Sequence, residues 1–251
     1  MEPVATTIRS RTKRKQSIPE IPTPAAMPLE KPMLSAAQAE IMLSLQAGMN
    51  TRVDPDWIDA RYPYLRAVVI EAAEAIEHHG WKWWKQQDQD LPQLQMELID
   101  IWHFMLSEIL LANAGDESAS KQQLSQLLAA SQQQASVEFD GRQIELQQLD
   151  LVSKLELLIG LAAARRIEIA VFAAIMVDCE MDWTELYCQY VGKNVLNFFR
   201  QDHGYKEGSY QKIWRGREDN EYLVEILAGL DPVEPTFKDS VYAELTKYYP
   251  D

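Results

Sequence analysis

The stretch Tyr64-Leu65-Arg66-Ala67-Val68-Val69-Ile70-Glu71-Ala72-Ala73-Glu74, followed after 22 intervening residues by Glu97-Leu98-Ile99-Asp100, decides the fold. Leu65, Val68, Val69, Ala72 and Ile76 recur at helical spacing and form one apolar stripe, with Glu71 and Glu74 roughly opposite. The second segment is apolar almost all round, through Leu94, Met96, Leu98, Ile99, Ile101, Trp102, Phe104, Met105 and Leu106, which predicts a buried helix. In each acidic pair the residues stand at i and i+3, so each pair projects from one side of its helix as a pincer. A single Glu-x-x-Glu is common on a solvated face, but two such pairs on apolar helices are not. The few Lys and Arg nearby are too few to neutralise four carboxylates, and a buried carboxylate without a counter-charge protonates instead. An all-oxygen carboxylate set suits Mg²⁺. Glu71, Glu74, Glu97 and Asp100 are therefore the predicted metal ligands.

Helical patterning extends on both sides. Ser35 is a good N-cap for a helix carrying Ile41, Leu43, Leu45 and Met49. Asp54-Pro55-Asp56 and Tyr62-Pro63 predict a turn before the first acidic helix. Leu151 to Val177 and Asp182 to Phe199 read as further helices. Between them, residues 112–150 are polar and Gln-rich, with a weak stripe through Leu124, Leu127 and Leu128 and a short hairpin signal, Val137-Glu138-Phe139 before Asp140-Gly141. They read as an inserted segment within a domain spanning 35–230, with 231–251 as a C-terminal tail. Residues 1–34 hold six of the twelve prolines and the cluster Arg9, Arg11, Lys13, Arg14 and Lys15, the composition of a disordered basic arm.

Across its 251 residues the chain carries 24 basic and 38 acidic side chains, a formal charge of −14. That balance argues against general nucleic-acid or anionic-membrane binding. Cys179 and Cys188 have no paired histidines nearby, so neither a zinc site nor a disulfide framework is indicated, and a reduced cytoplasm fits. Arg165, Arg166 and Glu168 interrupt the longest apolar run, which falls short of the roughly 18 to 20 residues that span a bilayer. The amino terminus also lacks the apolar core of a secretory signal.

Against the acidic background, residues 187–217 are basic, and this predicts an anionic ligand there. Lys193, Asn197 and Arg200 stand at i, i+4 and i+7 and share one helical face. The glycine-flexed loop Gly204-Tyr205-Lys206-Glu207-Gly208-Ser209-Tyr210-Gln211-Lys212 is suited to fold over a phosphate chain. Gln46 and Asn50, at i and i+4, carry the donors and acceptors that an uncharged pyrimidine edge requires. The run Gly80-Trp81-Lys82-Trp83-Trp84-Lys85 is compatible with a core plug or with a wall against a flat anionic ligand.

Taken together, the Tyr64–Glu74 stretch, Gly80–Lys85, Glu97–Phe104 and Lys193–Lys206, ending in Glu218-Asp219-Asn220, resemble the dimeric deoxyuridine triphosphatases. These belong to the all-α nucleoside triphosphate pyrophosphatase superfamily, which also contains the MazG-like proteins. The resemblance covers roughly residues 35–111 and 151–225. It implies an all-α antiparallel helical bundle, a homodimer, Mg²⁺, and hydrolysis of dUTP to dUMP and pyrophosphate. It further implies that Gln46 and Asn50 sit beside the uracil and deoxyribose, that Trp84, His103 and Phe104 line the nucleoside pocket, and that Asn220 closes it. Lys193, Arg200, Lys206 and Lys212 would neutralise phosphate charge, with Asn197, Tyr205 and Tyr210 on the same helix and loop, and Glu71 would orient the attacking water. His103 also reads as an ordinary buried histidine, and His78 and His79 as surface residues. The alternatives are a related pyrophosphatase acting on dCTP or other nucleotides, and a helical regulatory binding protein.

Overall fold

The computed structural model describes residues 34–250, so all but the last residue of the basic arm lies outside the described residues. Helix α1 (Ala36–Val53) opens on a capping box: Gln38 N–H donates to Ser35 Oγ at 3.2 Å and Ser35 N–H to Gln38 Oε1 at 2.9 Å. A single turn, α2 (Trp57–Ala60), follows the Asp54-Pro55 break, and α3 (Tyr64–His79) starts directly after Pro63. Gly80 ends α3 at a φ of +81°, a conformation that costs little only without a Cβ. Asp90 caps α4 (Leu91–Ala112), which has Pro92 in its first turn.

The chain between α3 and α4 is pinned where Asp90 N–H donates to His78 O at 2.8 Å. That bond sets the start of α4 beside the end of α3, so the two helices run back along each other in antiparallel sense. Leu65, Val68, Ala72 and Ala75 of α3 share a core with Leu94, Leu98 and Ile101 of α4. Helix α6 (Leu151–Ala163) also packs on α3. Helix α7 (Ile169–Asp178) and helix α8 (Trp183–Asp202) complete the bundle, with Trp102 stacked on Phe172 at 5.2 Å and met edge-on by Trp183 at 5.4 Å. Helix α8 also lies against α1 and α4, and this places Lys193 and Asn194 opposite Asp100 and His103. The all-α expectation holds: among the described residues, ten α-helices are accompanied by two small antiparallel hairpins.

The Gln-rich segment 112–150 folds into α5 (Glu117–Ser131) and a hairpin, β1 (Ser136–Phe139) with β2 (Arg142–Glu145). Leu124, Leu128, Val137 and Leu146 carry it into the main core, so the weak stripe seen in sequence is a true packing face. A second hairpin, β3 (Ile213–Trp214) with β4 (Arg217–Glu218), leads into α9 (Asp219–Ala228). Residues 231–251, expected as a tail, instead contain α10 (Phe237–Tyr248), which buries Phe237, Val241 and Leu245 and packs on α8 and α9. Its apolar residues are few but correctly spaced for one helical face. The Trp81, Trp83 and Trp84 rings do not form a core plug. They pack edge-to-face on one another, with Trp83 85% and Trp84 59% exposed.

Leu124→Ala is expected to lower unfolding free energy by about 2 to 5 kcal/mol, the cost of truncating a fully buried leucine. Urea denaturation checks this, and an unchanged midpoint would show that the segment is an appendage.

Candidate active site

Facing α3 and α4 bring Glu71, Glu97 and Asp100 together, each with a carboxylate oxygen within 4.8 Å of the others. Glu74 lies one turn on, exposed and outside this group, but its charge is felt by both glutamates. Burial and the charges of Asp100, Glu97 and Glu74 push the Glu71 carboxyl up to about 7. Glu97 is raised too, chiefly by burial and by Asp100, and its hydrogen bond with Glu71 works against that rise. Both carboxyls therefore resist ionisation, Glu71 the more strongly. His78, expected at the surface, is instead partly buried, with Nε2 3.4 Å from Glu97 Oε1. Lys193 spans both Asp100 oxygens at 2.6 Å and supplies a counter-charge from α8.

From the Asp100–Lys193 end, a cavity of about 540 Å³ runs between α1, α3, α4 and α8. Gln46, Asn50, His103, Phe104, Asn197, Lys193 and Asp100 all line it, so seven predicted residues share one wall. Behind that wall is a buried polar network. Gln46 Nε2 donates to Asn50 Oδ1 at 3.0 Å and to Ser107 Oγ at 2.9 Å, and Tyr190 donates its hydroxyl to Gln46 Oε1 at 2.8 Å. Asn50 Nδ2 donates to Ser107 Oγ at 3.2 Å, and Ser107 donates to His103 O at 3.0 Å. His103 is also fully committed: Nδ1–H donates to Ile99 O at 2.7 Å, and Nε2 accepts from Asn194 Nδ2 at 2.8 Å. Burial pushes its pKa down to about 4. It is thus a neutral, fixed ring, the ordinary buried histidine of the sequence reading, and at the same time part of the cavity wall.

The remaining predicted residues gather elsewhere. Arg200 makes a bidentate pair with Asp219, both contacts at 2.8 Å, and also donates to Asn197 Oδ1 at 3.2 Å and Asn220 Oδ1 at 3.1 Å. Tyr210 O–H donates to the same Asp219 at 2.8 Å. Burial opposes ionisation of Asp219, but the bonds from Arg200 and Tyr210 outweigh it and hold the carboxyl below the usual range. Lys206 donates to Arg52 O at the end of α1 at 2.8 Å, Lys212 pairs with Glu218 at 3.1 Å, and Tyr205 is 54% exposed. These three, with Trp84, do not line the cavity.

Ser107, Tyr190, Asn194 and Asp219 were missed in sequence. A lone hydroxyl four residues after His103 in an apolar helix was a readable signal for Ser107, and adjacency to Asn220 was one for Asp219. Nothing in the sequence separated Tyr190 from the other tyrosines.

A family model described as dUTPase matches residues 38–205, spanning both acidic pairs, Lys193 and Arg200. The chain belongs to the dUTPase family. A comparison with curated proteins returns no match. Membership makes it a dUTP diphosphatase, a nucleoside triphosphate pyrophosphatase whose substrate is dUTP. The matched region stops at Tyr205, so Lys206, Tyr210, Lys212 and Asn220 lie beyond it. No helix among the described residues is long and apolar enough to cross a membrane.

The raised Glu71 carboxyl makes a signed prediction. Between its unfolded value near 4.5 and its folded value near 7 the unfolded chain sheds this proton first, so the Glu71 contribution to stability is lost as pH rises across that window. In chelator-treated protein the melting temperature should carry this downward component. Adding Mg²⁺ should raise the melting temperature more at pH 7.5 than at pH 5.5, because cation and proton compete for the same oxygens. Equal Mg²⁺ shifts at both pH values would contradict this.

Proposed function

We propose that this dUTPase hydrolyses dUTP to dUMP and pyrophosphate with Mg²⁺ held by Glu71, Glu97 and Asp100, and with Glu74 completing the set from the next turn. The observation that carries this is the meeting of Glu71, Glu97 and Asp100, the last of which also lines, with Lys193, a cavity walled by Gln46, Asn50, His103 and Asn197. The donors are all carboxylate oxygens, and burial together with the neighbouring carboxylates raises Glu71, so the residues fit a hard divalent cation. When bound, such a cation offsets triphosphate charge and lowers the pKa of a water. Glu71 is the residue that would orient this water and accept its proton on a carboxylate oxygen. Lys193, freed from Asp100, turns its ammonium to the phosphates. Arg200, its plane fixed by Asp219, turns to the phosphates the N–H groups that Asn197 and Asn220 receive here.

At the other end, Asn50 faces the base, with Phe104 and the neutral His103 ring as walls. The homodimer, and the role of limiting uracil in DNA while supplying dUMP, follow from the resemblance of the motifs.

Glu71→Gln should fold as wild type and lose on the order of a hundredfold or more in kcat, since it keeps volume but removes a charge at the reacting centre. Circular dichroism together with pyrophosphate release at saturating Mg²⁺ tests both halves; wild-type turnover would remove Glu71 from the mechanism.

Competition assays should show kcat/KM at least about tenfold higher for dUTP than for thymidine triphosphate, because a rigid wall rejects the extra methyl. Equal efficiency would overturn the uracil-specific reading.

A further inference from the structure

At the end of α10 an aromatic side chain stands behind the Arg200 clasp. Tyr249 follows the helix directly, its N–H closing the last turn on Leu245 O at 3.0 Å. Its ring is met edge-on by Phe199, the residue before Arg200 on α8, at 5.3 Å and by Trp214 of β3 at 5.5 Å. It also lies stacked with Tyr210, the ring centres 5.5 Å apart and the planes 15° from parallel. The Tyr249 hydroxyl accepts the Gln211 N–H at 3.3 Å, so ring and hydroxyl hold two neighbouring residues of the 201–218 loop. Tyr249 lies beyond the region matched by the family model, 38–205, and lines no part of the cavity.

Tyr210 depends on such backing. It stands in a loop flexed at Gly204 and Gly208, both at positive φ. Within that loop its holds are slight: its N–H donates to Gly204 O at 3.3 Å, and the Tyr205 ring that meets it at 6.2 Å is itself 54% exposed. Yet its hydroxyl donates at 2.8 Å to Asp219 Oδ2, the oxygen that also receives Arg200 Nε. Asp219 is fully buried, and the bonds from Arg200 and Tyr210 set the rotation of its carboxylate about a soft terminal torsion. When phosphates draw on the guanidinium, the Tyr210 hydroxyl keeps the carboxylate from turning with it. We propose that Tyr249 is a positioning residue for Arg200, acting through the Tyr210 ring and the Asp219 carboxylate. The inference rests on the reading above that Arg200 meets the phosphates.

The test is kcat for dUTP with Mg²⁺ on the full chain, in wild type, Tyr249→Ala, Tyr249→Phe, Tyr210→Phe, Arg200→Ala and the double variant Tyr249→Ala with Arg200→Ala. Tyr249→Ala should lower kcat by about tenfold or more, the scale of a misaimed charge-stabilising group. Its Mn²⁺ affinity by direct titration should stay at the wild-type value, because the carboxylates are untouched. Tyr249→Phe keeps the stacked ring and should recover most of kcat. Tyr210→Phe keeps the ring but cuts the bond to Asp219, and should lose as much as Tyr249→Ala. In the Arg200→Ala background, Tyr249→Ala should cost no more than about a further twofold, since the group it aims is gone. Val241→Ala truncates a buried residue of the same helix, so it should lower the melting temperature yet keep kcat, which separates aim from stability. If Tyr249→Ala does not fold, Tyr249→Leu, which keeps bulk without a flat ring, takes its place with the same expected loss. Wild-type kcat in the Tyr249 variant or in Tyr210→Phe, or full additivity with Arg200→Ala, overturns the positioning role and leaves the Arg200 reading standing. Wild-type kcat in Arg200→Ala overturns that reading and this inference with it.

Discussion

Three carboxylates within 4.8 Å of one another, between two helices packed by their apolar faces, are the constraint to which the rest of this molecule answers. Like charges so close repel, and burial strengthens the repulsion by removing the water that would screen it. The apolar packing of α3 against α4 holds them together. The protein meets part of the electrostatic cost by disfavouring the ionised forms of Glu71 and Glu97 and part with the Lys193 ammonium on Asp100. Placing Lys193 there requires α8 to lie across α4, which in turn brings Asn194 to His103 and Tyr190 to Gln46. The acidic cluster thus organises the buried amide network.

Helix α4 carries both. Glu97, Asp100, His103 and Ser107 recur every three or four residues along one side of an otherwise apolar helix. From Asp100 to Ser107 the helix rises about 10 Å, at roughly 1.5 Å per residue. Charge falls away along that rise, from ionised acids through a neutral imidazole to a hydroxyl embedded in amides. One straight element thus fixes the spacing between the acidic cluster and the amide network.

Much of this was legible in the residues. The apolar stripes behind the acidic pairs predicted the two helices, and the pairs themselves predicted that carboxylates from both would meet, as Glu71, Glu97 and Asp100 do. Lys193, Asn50, His103 and Phe104 reach the cavity as their spacing and resemblance suggested. The basic loop was less legible. Lys206 and Lys212 read as phosphate ligands from the basic, glycine-flexed loop and the resemblance of its motif; in the structure Lys206 reaches the end of α1 and Lys212 pairs with Glu218. Local charge cannot disclose a partner 154 residues away. Helix α10 escaped notice because its mean apolarity is low and only the spacing of Phe237, Val241 and Leu245 betrays it. Tyr190 was invisible for a different reason: its role depends on one oxygen lying 2.8 Å from Gln46 Oε1, across 144 positions of chain.

The Arg200–Asp219 clasp closes residues 201–218 into a noncovalent noose, with Tyr210 tied to the same carboxylate from inside the ring. Closing a loop of this length costs about 2 to 3 kcal/mol of chain entropy, and the clasp meets that cost once, at a single buried point. The chain on either side of Tyr210 can then change course without shifting the guanidinium plane, since that plane is set at the knot and not along the cord. Evolution is therefore free to lengthen or rewrite the loop while the Arg200 guanidinium keeps its orientation.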